Sequence, residues 1–325
     1  MMNSLSRRSF LVQGAAVATS AAVTRSAFGA AKRVRLRNSH LPAGASGTLL
    51  IGGDLQVNRL GLGTAEFTGP DRWGPPADPA MIRAVIRHAY DLGINLIDTA
   101  DVYGPYIAEQ LVHDALYPYP ADLVIATKGG QTHDVQGQPN AFDARPERLR
   151  AACEASLKRL QLEQIALYYL HSPDPKVPYE DSIGELAKLQ KEGKIRHIGI
   201  SDVNAEQLAT ARSLVTVTVV QNAYNILTKR GDEIIGICER EHIVFVPFST
   251  FSRGRMLKSE DDKLAGLQAL AKARGIDLPQ AVLAWELARS PVTLPIFGTT
   301  RIDHLEDDIA AAKVHFTKRE LEQLG

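Results

Sequence analysis

Ile94-Asn95-Leu96-Ile97-Asp98-Thr99-Ala100-Asp101-Val102-Tyr103-Gly104 reads as a short buried strand that ends in a carboxylate, with a tyrosine five positions later in the loop. A parallel α/β barrel presents its chemistry at the carboxyl ends of its strands, so an apolar run that stops at an aspartate is informative. An aspartate leaving a strand also commonly caps the next helix. What other strands of the chain end in decides between the two.

Working outward, residues 59–64 form a first barrel strand, preceded by 48–51 and 55–57 across the turn Gly52-Gly53-Asp54, which together predict a β-hairpin. A Pro/Gly-rich loop, Gly69-Pro70-Asp71-Arg72-Trp73-Gly74-Pro75-Pro76, is too irregular for an element. Asp78-Pro79 then supplies an N-cap with proline at the first helical position, and Ile82, Val85, Ile86 and Ala89 keep helical spacing up to Gly93. Downstream the pattern alternates. Strands are predicted at 123–127, 165–170, 195–200, 215–220, 243–247 and 292–297. Helices are predicted at 107–116, 146–160, 179–192, 205–213, 233–240, 262–274, 279–289 and 303–312. Nearly continuous β-branched runs are what a parallel sheet buried on both faces requires. Eight strands, each followed by a helix, predict a (β/α)8 TIM barrel over 48–325 with an N-terminal β-hairpin. A doubly wound sheet is the runner-up. It would need Gly-x-Gly-x-x-Gly between a strand and a helix, and Gly61-Leu62-Gly63 lacks the third glycine.

With 325 residues, 45% of them hydrophobic, the chain can bury a full barrel core. Lysine plus arginine and aspartate plus glutamate are equal at 37 each, and no basic patch interleaved with aromatics exists, so a nucleic-acid partner is not expected. Cys153 and Cys238 lie in separate helical patterns without metal or disulfide spacing and read as small core residues, and no metal site is expected. Ser6-Arg7-Arg8-Ser9-Phe10-Leu11, followed by an uncharged alanine-rich run, resembles a twin-arginine export signal over 1–31, with a linker at 32–47. The run is too short for a stable membrane span. The resemblance implies the export machinery as a partner and a periplasmic location. The alternative is a disordered extension on a cytoplasmic protein.

The residues just past the strands supply the chemistry. They are Asp98 and Tyr103 after the second strand, Lys128 after the third, His171 after the fourth, Ser201 and Asp202 after the fifth, and Gln221 and Asn222 after the sixth. Residues 248–255 follow the seventh strand and 298–301 the eighth. Tyrosine is a weak acid with an ordinary pKa of about 10, and a nearby lysine cation eases proton donation from it. Asp98 would compensate the buried charge of Lys128. His171 would orient a substrate carbonyl, so that the group as a whole stabilises an alkoxide as it forms during hydride delivery.

From about residue 48 onward the chain resembles the aldo-keto reductases. Asp-Thr-Ala-x-x-Tyr-Gly, Ala-Thr-Lys and Tyr-Tyr-Leu-His carry that family's tetrad onto Asp98, Tyr103, Lys128 and His171. The resemblance implies an NADP(H)-linked carbonyl reductase, with NAD(H) as the alternative cofactor. Ser201 and Gln221 would bond the nicotinamide amide and Phe248 would stack on the ring. Residues 251–257, with Arg253 and Gly254, would hold the pyrophosphate; Ser249, and Gly63 and Thr64 at the first strand's end, are further cofactor-binding candidates. Gly298, Thr299, Thr300 and Arg301 would take the adenosine phosphate. Two departures stand out: Ser201-Asp202 where the family usually has Ser-Asn, and Asp307-Asp308 near the adenine where Glu-Asn is common. Trp73 and Tyr106, with Phe142 and Phe251, are the aromatic candidates for the substrate pocket. Trp73-Gly74-Pro75-Pro76, Tyr103-Gly104-Pro105 and Leu116-Tyr117-Pro118-Tyr119 look similar to bacterial pyridoxal reductases within the family, which implies an aromatic aldehyde such as pyridoxal as the small-molecule substrate. Two other readings use the same residues: a nucleotide-binding regulatory or scaffold barrel with negligible turnover, and a Schiff-base aldolase built on Lys128.

Overall fold

The first ordered pairing is antiparallel: β1 (Thr48–Ile51) and β2 (Leu55–Asn58) form the expected hairpin, with Ile51 opposite Leu55. The computed structural model describes residues 40–133, 139–228 and 231–324, so the twin-arginine stretch and most of the linker lie outside the described residues. The linker's end is ordered. Pro42–Ser46 makes a 3-10 turn whose Ala43 and Ser46 are buried, and the Ala43 N–H donates to Leu92 O at 2.9 Å. A proline that pre-sets φ and a serine hydroxyl that bonds back to Ala43 O at 2.7 Å explain order where composition predicts none.

Chain order then runs β3 (Gly61–Gly63), α1 (Pro79–Asp91), β4 (Leu96–Asp98), α2 (Ile107–Leu116) and β5 (Val124–Gly129). Next come the short hairpin β6 (Gln131–His133) and β7 (Pro139–Phe142), α3 (Pro146–Leu160), β8 (Ile165–Leu170), α4 (Tyr179–Lys191) and β9 (Ile195–Ser201). The rest is α5 (Ala205–Leu214), β10 (Val217–Ala223), α6 (Asp232–Arg240), β11 (Val244–Phe248), α7 (Asp262–Arg274), α8 (Leu278–Ala288), β12 (Ile296–Phe297), α9 (Ile302–Ala310) and α10 (Lys318–Leu324). The predicted cap Asp78 accepts from the Met81 N–H at 2.9 Å, and at the start of α5 Asn204 and Gln207 form a reciprocal capping box. The β6–β7 hairpin and α10 are elements that periodicity does not reveal.

Eight parallel strands pair in the order β11-β10-β9-β8-β5-β4-β3-β12, and a parallel bridge between Phe245 and Thr293 joins the two ends into a barrel. The eighth strand is shorter than the predicted 292–297, because Pro295 has no N–H to give to a ladder and regular pairing resumes only at Ile296. Its neighbours still close the ring: Leu294 N donates to Phe245 O at 2.8 Å and Gly61 N to Pro295 O at 3.0 Å. Inside the barrel Leu96, Val124, Ala126, Leu167, Tyr169, Val219, Val244 and Val246 pack together with Ile51 and Val57, so the hairpin plugs the amino-terminal end. Each of the leucine, valine and isoleucine side chains contributes roughly 1.5–3 kcal/mol by leaving water. A closed bottom leaves the carboxyl ends of the strands as the open face.

Candidate active site

Asp98 closes β4, Lys128 lies one residue from the end of β5, and His171 immediately follows β8. Three adjacent strands therefore deliver three ionisable groups to one rim. Lys128 is fully buried and its ammonium donates to Asp98 Oδ1 and, at 2.9 Å, to Thr99 O. Gln221, from β10 across the barrel, donates its Nε2 to the other Asp98 oxygen at 2.8 Å. Both carboxylate oxygens are thus engaged. Asp98 caps no helix, since the N-cap of α2 is Tyr106, which sits in the left-handed region and makes no side-chain cap.

Burial alone would push the Lys128 ammonium down, but attraction and hydrogen bonding from Asp98 and Tyr103 outweigh it and hold its pKa above the usual lysine value. Lys128 Nζ lies 5.2 Å from the centroid of the Tyr103 ring. His171 packs edge-on against the same ring, with centroids 5.8 Å apart. Burial, then the charges of Lys128 and Arg72, keep the His171 pKa well below its ordinary value, so the imidazole is neutral. A further hydrogen-bond chain backs it: Gln131 Nε2 donates to Ser172 Oγ at 2.7 Å, and Ser172 Oγ lies within 2.8 Å of His171 O and 3.0 Å of Asp202 Oδ2.

A cavity of about 650 Å³ opens on these groups. Asp98, Tyr103 and His171 line one end, and Gly63, Thr64, Ser201, Asp202, Gln221 and Phe248 surround it. It continues along Ser249 and Gly254 to Gly298, Thr299 and Thr300. Gly298 is required by space: a Cβ there would stand 2.7 Å from Gly63 O, so the loop after β12 can press against the end of β3 only without a side chain. Gly254 has φ +74 and open space around it, which leaves its backbone exposed to a ligand.

Other predicted site residues stand apart from this wall. Arg301 is exposed and paired with Asp303, and Asp307 and Asp308 lie on α9 away from the cavity lining. Asp308 is buried, and burial, then Asp307, raises its carboxyl to about 7. The side chain of Arg253 is outside the described residues. Trp73 and Tyr106 are about half exposed and neither lines the cavity; Tyr106 instead faces a smaller pocket of about 80 Å³ with Asp101 and Arg148. Phe142 is exposed, while Phe251 does line the main cavity.

Sequence reasoning misses Arg72, Glu66, Gln131 and His304, all of which line the cavity. Arg72 carries no local signal, because it sits in a loop read as irregular. His304 is one turn beyond Arg301 on the cavity side of α9, a position that helical spacing alone could have suggested.

Residues 59–325 match the Aldo/keto reductase family model. An uncharacterised oxidoreductase of Schizosaccharomyces pombe is 38% identical over 282 residues, covering 86% of this chain and 89% of that protein. Pyridoxine 4-dehydrogenase of Escherichia coli is 37% identical over 281 residues, covering 84% of this chain and 95% of its own length. An aldo-keto reductase from Klebsiella pneumoniae, solved in complex with NADPH, superposes with a TM-score of 0.72 at 27% identity, over 85% of this chain and 93% of that one. With the barrel closed and the match spanning nearly all of its strands, the chain belongs to the aldo/keto reductase family.

Proposed function

We propose that the protein reduces aldehydes or ketones to alcohols with NADP(H) as cofactor, acting on a small aromatic aldehyde such as pyridoxal. One observation carries the reading: Tyr103, the buried Lys128–Asp98 pair and a neutral His171 meet at the end of a cavity large enough for a dinucleotide and a small carbonyl compound. The cavity fits the cofactor chemically as well as by size, since Gly254 and Gly298 offer bare backbone while Thr299 and Thr300 offer hydroxyls for phosphate oxygens.

When bound, the nicotinamide supplies the hydride that reaches the carbonyl carbon. The chain's own residues handle the oxygen. Tyr103 gives its hydroxyl proton to the developing alkoxide, and Lys128, held protonated by Asp98, stabilises the phenolate left behind. The neutral His171 offers a hydrogen bond to the same oxygen without adding a second charge beside Lys128. Ser201 and Gln221 border the cavity where a carboxamide would be held, and Phe248 lies beside them for stacking. A Schiff-base role for Lys128 is disfavoured, because an ammonium shifted upward and doubly hydrogen-bonded is a poor nucleophile. Pyridoxal as first substrate is supported by the likeness to pyridoxine 4-dehydrogenase.

The deciding experiment follows loss of NADPH absorbance over a panel of aldehydes including pyridoxal. Tyr103→Phe is expected to lower kcat by roughly 10²- to 10⁴-fold, with NADPH still quenching protein fluorescence. Full turnover by that variant would overturn the mechanism. NADPH binding by the native protein without reduction of any carbonyl would favour a regulatory barrel instead.

A further inference from the structure

Among the described side chains, Arg72 is a cavity-lining arginine that the tetrad does not use. Its guanidinium carbon lies 5.7 Å from the centroid of the Tyr103 ring, and the residue borders the same cavity as Tyr103 and His171. The backbone holds it there at some strain. Asp71 and Arg72 have φ of +54 and +60, two consecutive non-glycine residues in the left-handed region. Gly104 fixes the turn by donating to Arg72 O at 3.0 Å and accepting from Gly74 N at 2.9 Å, and Gly69 N closes it on Gly74 O at 2.9 Å. Gly69 must be a glycine, since a Cβ there would stand 2.2 Å from Trp73 O. The strained loop is therefore tied to the residue next to Tyr103, which places Arg72 beside the acid.

No side-chain hydrogen bond to Arg72 exists among the described residues, and its Nε is buried without a partner. The nearest carboxylate is Glu66, also on the cavity wall, whose oxygen is 3.8 Å from Nη2, beyond hydrogen-bond reach. The other charges facing this end are accounted for: Lys128 is neutralised by Asp98, His171 is uncharged, and Asp202 is engaged with Ser172. A buried guanidinium donor without an acceptor costs free energy unless a ligand satisfies it. Arginine's planar fork is matched to carboxylate and phosphate oxygens.

We infer that Arg72 selects carbonyl substrates carrying an anionic group, a carboxylate or a phosphate ester, within a few bonds of the reacting carbon. The inference rests on the reductase reading and narrows its substrate class. Glu66 is exposed and stands 3.8 Å from Nη2, so it screens the charge without hydrogen-bonding to that nitrogen.

Two measurements test it. Benzoate and its neutral analogue benzamide are titrated into the NADP⁺-loaded protein by calorimetry, for the native chain, Arg72→Gln and Arg72→Lys. Benzoate is expected to bind the native protein about tenfold or more tightly than benzamide, with the difference lost in Arg72→Gln and partly kept in Arg72→Lys. In parallel, kcat/KM is compared for 4-carboxybenzaldehyde against benzaldehyde and for pyridoxal 5′-phosphate against pyridoxal, which tells a carboxylate preference from a phosphate preference. Arg72→Gln is expected to collapse the anionic-to-neutral ratio of one pair through KM. A ratio unchanged by that substitution in both titration and kinetics would overturn the assignment. A benzoate preference dependent on Arg72 with no turnover of any aldehyde would support the anion site and sink the reductase reading alone.

Discussion

Lys128 and Asp98 form an ion pair with side-chain exposures of only 0% and 3%, and Gln221 holds the carboxylate oxygen that Lys128 leaves free. A buried pair of this kind adds little net stability, but removing one partner strands the other charge. Asp98→Asn is therefore expected to lower unfolding free energy by about 3–5 kcal/mol and to lower kcat strongly, because an uncompensated Lys128 sheds its proton and no longer assists Tyr103. Urea denaturation and steady-state rates check this together. A variant within about 1 kcal/mol of the native protein would mean that the pair is not shielded as described.

His171 should not titrate near neutrality. Burial, then Lys128 and Arg72, depress its pKa well below the ordinary value of about 6.5, so this imidazole is expected to contribute no inflection to kcat/KM between about pH 6 and 8, and His171→Gln should leave any inflection there in place. His171→Gln, which keeps a neutral donor, is expected to retain more activity than His171→Ala. Equal losses in the two variants would argue that the residue acts by packing on Tyr103 rather than through a hydrogen bond.

The barrel was legible where burial on both faces leaves little choice of residue, as in Ile165–Leu170 and at Ile198 to Ser201 of β9. Strand-end positions of Asp98, Lys128 and His171 follow from that reading, because the end of an apolar run is visible locally. What stayed hidden depends on distant partners. Gln221 reaches Asp98 across 123 residues of sequence, and nothing near position 221 indicates that its amide is spent on a carboxylate. Arg72 enters the cavity because Gly104 pins its loop, and two left-handed non-glycine residues in succession are not something a sequence advertises. Arg301, expected at a phosphate, turns instead to Asp303 two residues on, a local pairing that competes with any ligand.

Gly298 lines the cavity where the loop after β12 presses against the end of β3. A methyl group at this position would meet Gly63 O at 2.7 Å, which is backbone on both sides and cannot swing away. Gly298→Ala is expected to weaken NADPH binding by about tenfold or more as β3 and the loop after β12 are forced apart, with a smaller effect on kcat at saturation. Fluorescence titration measures this. Unaltered affinity would show that the cofactor does not pass between these two segments.

Both cysteines are sealed in the helix layer, and burial pushes the Cys153 and Cys238 thiols up to about 12. Neither should react with a thiol reagent in the native protein, and both should react in denaturant. Labelling of one before unfolding would reveal local opening of α3 or α6.

We also propose that residues 1–31 direct the protein to the periplasm through Arg7 and Arg8, as the resemblance to a twin-arginine signal suggests. The expected result is a periplasmic pool that the paired substitutions Arg7→Lys and Arg8→Lys abolish. Fractions that are identical with and without the substitutions would remove the export proposal.

Asp101 links the site loop to pH. It is buried, neither oxygen has a side-chain hydrogen-bond partner among the described residues, and Arg148 Nη2 is 3.8 Å away. Burial, then the neighbouring Glu109, raises its carboxyl to about 7. The unfolded chain releases this proton near about pH 4, whereas the native chain keeps it until neutrality. Between those values the native state binds more protons, so stability falls as pH rises, by up to about 1.4 kcal/mol per unit from this group. Asp308, also raised to about 7, contributes with the same sign. Asp101→Asn removes the Asp101 titration and leaves that of Asp308 in place. Urea unfolding at about pH 5 and about pH 8 should show the variant gaining on the native protein as pH rises, whatever constant cost the new amide carries. A difference between the two proteins that is the same at both pH values would show that Asp101 ionises normally and that its pocket is wetter than its burial implies.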